Sequence, residues 1–116
     1  MHEIVIDPSF IERLQALGGI KLRNDLITMF LERTPEKLAQ IENGVIGPDY
    51  QMIQLAAHSL ISSAGNLGGS GLSRSAAKIE AAALDGNETL ISQELSGMKV
   101  LYLEFKQHLE AILEDQ

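Results

Sequence analysis

The chain has 116 residues, a formal net charge of −7 and no cysteine. The length fits one domain over 1–116, and the missing cysteine excludes disulfides, thiolate zinc sites and cysteine nucleophiles. No Lys/Arg stripe is present to neutralise phosphates, no apolar run spans a bilayer and no charged-then-apolar leader opens the chain, so a cytoplasmic protein with neither nucleic-acid nor membrane partners is expected.

With 4% aromatic residues and no Trp, the core must be built from Leu, Ile, Ala and Met, a mixture that favours helices. Asp7-Pro8 opens the first helix as an N-cap followed by a first-turn proline. Phe10, Ile11, Leu14 and Leu17 form its stripe, and Gly18 ends it. A second helix is predicted from about Lys21 to Glu42, with Leu22, Leu26, Met29, Phe30, Leu38 and Ile41 inward. Pro35 should kink it, or break it with Thr34 as a new N-cap. A third helix starts near Pro48. A fourth starts near Ser70, with Leu72, Ala76, Ile79 and Ala83 on one face. A fifth starts at Asn87, where Ile91, Leu95, Met98, Tyr102, Phe105, Leu109 and Ile112 keep a four-three spacing. Strand signals are absent. The expected architecture is all-α, an antiparallel up-down four-helix bundle with an additional short N-terminal helix.

The third helix carries the most informative residue, His58. At about 100° per residue, Ile53, Ala56, Leu60, Ser63 and Leu67 lie within roughly 40° of the side opposite His58 and form the core face. Gln51, Gln54, Leu55, Ile61, Ser62 and Gly65 lie within about 60° of His58, on an uncharged face of low relief. Gly65 costs about 1 kcal/mol of helix propensity relative to Ala, and with Ser62 it leaves room for a partner to approach the imidazole. Gln54, one turn earlier, is either placed to orient the ring or simply solvated. The other histidines carry less: His2 is expected in a frayed terminus and His108 at the rim of the last helix. None of the three has a companion at zinc-ligand spacing, so no metal or bound cofactor is expected.

The run Ala57-His58-Ser59-Leu60, followed by Ser63-Ala64-Gly65-Asn66-Leu67-Gly68, resembles the signature of histidine phosphotransfer (HPt) domains of bacterial multi-step phosphorelays. That pattern reads Ala-His-x-Leu-Lys-Gly-Ser-Ala-x-x-Leu-Gly. Leu72, Ala76 and Ile79-Glu80, the turn Asp85-Gly86-Asn87 and the stretch Phe30 to Glu36 are also similar to the family. Two positions depart from it: Ile61 stands where the family has Lys, and Ser62 where it has Gly.

The resemblance implies that His58 is the phosphoacceptor. It would take a phosphoryl group from one receiver-domain aspartate, hold it as a phosphoramidate and pass it to another. The partners would be a response-regulator receiver domain and a hybrid histidine kinase, and the receiver would supply Mg²⁺ and a lysine. The chain itself would be a monomeric phosphocarrier with no complete active site, and its start at Met1 favours a free-standing protein. A neutral imidazole is a good nucleophile near pH 7. A phosphorylated histidine gains close to two negative charges, so the loss of the lysine at Ile61 leaves them uncompensated unless Arg74, Lys78 or the partner supplies a cation. Leu55 and Ile61 form an apolar shoulder suited to docking. Two alternatives are a degenerate adaptor that binds receivers or kinases without phosphotransfer, and a hydrolase with His58 as general base. The latter requires an orienting carboxylate and an oxyanion donor, neither of which helical phase places near His58.

Overall fold

The computed structural model describes residues 5–115. They form four helices, α1 (Ser9–Ile46), α2 (Tyr50–Gly65), α3 (Ser70–Leu84) and α4 (Glu88–Glu114), and no strand is found among them. Sequential helices touch, α4 closes on α1, and the diagonal pairs do not meet. That is the up-down bundle expected from short connections. The core interdigitates Ile27, Phe30, Ile41, Ile53, Leu60, Leu72, Ile79, Ile91, Met98, Phe105 and Leu109, all buried.

Local chemistry sets the helix starts. The Asp7 carboxylate accepts from the Ser9 amide at 3.0 Å and the Ser9 hydroxyl at 2.7 Å, the geometry of an N-cap ahead of Pro8. Asp49 caps α2 through the Met52 amide, and Asn87 caps α4 through the Leu90 amide, each at 3.1 Å. The start expected near Pro48 thus falls two residues later, because Asp49 rather than the proline supplies the cap.

The segment expected as a separate N-terminal helix forms the N-terminal arm of α1. The two helical stretches meet across a kink at Gly19, whose non-helical backbone of φ 77°, ψ −174° turns the chain one residue after the expected stop at Gly18. Two expectations are corrected. Pro35 does not split the helix. Thr34 is buried within it and donates its hydroxyl to the Phe30 carbonyl at 2.7 Å, and every residue around it stays helical. Leu17 and Met29, both expected inward, are exposed. Leu17 lies in the last turns of the arm before Gly19, and Met29 lines an open groove.

Arg23, unremarked in the sequence, ties the arm down. It is buried, and its guanidinium reaches Gln15 of the arm at 3.1 Å, Asn24 at 3.0 Å and the carbonyl of Ile112 in α4 at 3.4 Å. Further along the same seam between α1 and α4, Lys99 of α4 pairs with Glu42 of α1. Tyr102 is held above its ordinary pKa of 10.0, by burial first and by Glu110 second. His2 lies outside the described residues.

Candidate functional site

The core face assigned to α2 is the one the bundle buries. Ile53, Ala56, Leu60 and Leu67 are inside, joined by Ala57 and Ala64, with Ser63 half-buried. His58 therefore points outward, with 70% of its side chain exposed. Its Nδ1 lies 2.7 Å from Oε2 of Glu80 in α3. The tautomer that satisfies this contact has the proton on Nδ1, donated to the carboxylate. In the neutral ring that tautomer leaves the lone pair on Nε2. The carboxylate that helical phase failed to find comes from the neighbouring helix. Phase within α2 orders residues around that helix only, and cannot register a side chain that arrives from across the α2–α3 seam.

The supporting residues divide. The ring's hydrogen bond goes to Glu80, so Gln54 does not orient it; Gln54 is half-buried one turn away. Leu55 is 62% exposed, as a docking shoulder requires. Ile61 is only half-exposed: its side chain packs against the core, and its carbonyl accepts from the Ser73 hydroxyl at 2.8 Å. Ser62 is exposed. Gly65 is half-buried, and a Cβ there would stand 3.4 Å from Ser73 Oγ, so this glycine serves the approach of α3 as well as any partner. Leu84, one turn after Glu80 on the same side of α3, is 66% exposed and extends the apolar surface beside His58. Nothing in the sequence distinguished it from a core leucine.

Arg74 and Lys78, the cations nearest in sequence, stand about 120° and 160° around α3 from Glu80, off the face that meets His58. Among the described residues, the side chain paired with the ring is the acid Glu80. His58 lines neither of two well-formed grooves on the described residues. No cluster of three or more His, Asp or Glu with metal-binding geometry occurs among the described residues, nor does a helix long and apolar enough to cross a membrane.

The glycines that close the run are structural. Gly68 has φ 86°, and its carbonyl accepts from the Asp7 amide at 2.7 Å; a Cβ there would overlap the Asp7 carbonyl. At Gly69 a Cβ would stand 2.5 Å from the Phe105 ring. The turn after α2 must therefore be bare for the N-terminal segment and α4 to close over it.

Comparison with known proteins agrees with this arrangement. Residues 25–115 match the family model described as Hpt domain. A search of curated proteins gives no match. Among solved structures, the chain is similar to histidine-containing phosphotransfer protein B from Pseudomonas aeruginosa PAO1. The TM-score is 0.92, sequence identity is 16%, and 99% of each chain is covered.

Proposed function

Because the chain belongs to the Hpt domain family, and so serves histidine phosphotransfer in a phosphorelay, we propose that His58 is its phosphoacceptor. The observation that carries this reading is the outward imidazole held through Nδ1 by Glu80 at 2.7 Å. In the proposed step the Nε2 lone pair forms the N–P bond while the O–P bond of a receiver aspartyl phosphate breaks, and the electron pair leaves with the aspartate carboxylate. As the N–P bond forms, the ring gains positive charge, and Glu80 stabilises it from the opposite edge as a carboxylate orients a catalytic imidazole. The reverse step delivers the group to a second receiver.

The chain is a phosphocarrier in this scheme. In-line geometry and charge neutralisation are what phosphoryl transfer requires. With Ile61 in place of a lysine, the receiver must bring the cations, including its Mg²⁺. A receiver domain and a hybrid histidine kinase are the proposed partners. Leu55 and Leu84 lie together beside the ring as apolar contacts for the docked receiver, and the chain acts as a monomer.

The test is incubation with a phosphorylated receiver, read as acid-labile, alkali-stable phosphate on the chain. Wild type should acquire it, and His58→Gln should acquire none while keeping its fold by circular dichroism. Failure of wild type to take up phosphate would leave only the adaptor reading.

A further inference from the structure

A groove of about 820 Å³ lies away from the His58–Glu80 contact, between the N-terminal arm, the middle of α1 and the second half of α2. Its floor is apolar: Leu14, Leu26, Met29, Phe30, Leu60 and Leu67. Its rim is polar and unevenly charged. Arg13, Arg33 and Lys37, three of the nine basic residues of a chain with net charge −7, line this one groove, against the single acid Glu36. Arg33 and Lys37 sit one turn apart on the same side of α1, and neither makes an ion pair with a described residue. Arg13 lies over the Phe10 ring at 5.3 Å and is within electrostatic range of Asp7. The α2 wall contributes the hydroxyls of Ser59 and Ser63 and the amide of Asn66.

Two like charges placed together repel and cost stability when nothing lies between them. Above an apolar floor, in an otherwise acidic protein, they are complementary to an anion with a hydrocarbon body. The stretch from Leu26 to Lys37 spans about 16 Å at the helical rise. The volume of the groove lies among small-ligand sites, which run to about 1,000 Å³.

We propose that this groove binds a single-chain anionic amphiphile, a medium-chain carboxylate. Its hydrocarbon lies along Leu26, Met29, Phe30 and Leu60, and its carboxylate is held by Arg33 and Lys37. The site does not depend on the phosphoacceptor role of His58.

The experiment titrates decanoate, far below its micelle concentration, into the full chain, followed by calorimetry and by backbone amide shifts. One saturable site is expected, with shifts concentrated on residues 26–37 and 59–67. The double variant Arg33→Gln, Lys37→Gln changes two exposed or half-exposed side chains and should leave the fold intact while weakening decanoate about tenfold or more, the loss of both charge-assisted contacts. Uncharged decanol should bind wild type about as weakly as decanoate binds that variant. The proposal is overturned by the absence of saturable binding, by equal affinity for wild type and the double variant, or by shifts that map outside the groove. It is overturned equally if an acidic amphipathic peptide takes the groove more tightly than decanoate, which would make a partner helix its occupant.

Discussion

His58 and Gly68 belong to one continuous run of sequence, and the fold uses them in opposite ways. His58 stands 70% exposed on the outer face of α2, touching one side chain from another helix. Gly68 is buried in the turn that follows, in a left-handed backbone conformation, under the Asp7 carbonyl. A motif that reads as one unit is therefore two: a chemical half whose substitution should spare the fold, and an architectural half whose substitution should spare the chemistry until the fold fails. The spacing between them fits the helix that joins them, since the histidine must face outward while the glycine lets the chain turn back across the bundle end.

The contrast can be broken most forcefully at Gly68. Gly68→Ala combines a left-handed alanine with overlap on backbone, and should cost about 3 kcal/mol or more. On a chain of this size that lowers Tm by about 10 °C or more in thermal denaturation. An unchanged Tm would show that the N-terminal segment is not pinned there.

At the chemical end, Glu80→Ala should slow phosphoryl uptake by about ten- to hundredfold with little change in Tm, because the ring loses the group that fixes its tautomer. Nitrogen NMR of the imidazole should show the Nδ1–H tautomer losing population. Glu80→Gln, which keeps an acceptor without the charge, should fall between Ala and wild type. Equal rates in all three would remove Glu80 from the mechanism.

Ile61→Lys probes both halves at once. Restoring a cation one turn from the acceptor should lengthen the phosphohistidine lifetime or speed uptake, measured by acid-labile phosphate over time. The Ile61 side chain is partly drawn into the core, so the same change should cost about 1 kcal/mol in urea denaturation. No kinetic change would show that the docked receiver already supplies the charge.

The smallest effect is expected at the cap. Ser9 lowers the Asp7 pKa, by side-chain and then backbone hydrogen bonding, below its ordinary value of 3.8. A depressed carboxylate stabilises the fold above its unfolded pKa, and that contribution disappears as pH falls through the folded value. Asp7→Asn should therefore be less stable than wild type at neutral pH, and the gap should close as pH falls below 3.8 and through the lowered folded value. A gap that persists into acid would mean that the hydrogen bonds, and not the charge, supply the cap.

Much of this protein is determined by short-range chemistry that the sequence displays. The core stripe of α4, from Ile91 to Leu109, is buried as its spacing implies. Asp7, Asn87 and the outward direction of His58 were legible because capping and helical phase depend on residues within a turn or two. Where local signals competed, the outcome belonged to packing. Pro35 is accommodated inside α1, with Thr34 buried and hydrogen-bonded back to Phe30, and the chain does not break there.

The orienting carboxylate was of another kind. Glu80 is 22 residues from His58, and their contact exists only because α2 and α3 lie antiparallel side by side. The same is true of the Arg23 clamp, which reaches from α1 to α4, and of the basic groove, whose walls come from three separate stretches of chain. Helical periodicity assigns each residue an angle around its own axis. Which angles face each other across a seam is decided by how the helices pack, and that choice supplied the acid beside His58 where the sequence showed only a missing lysine.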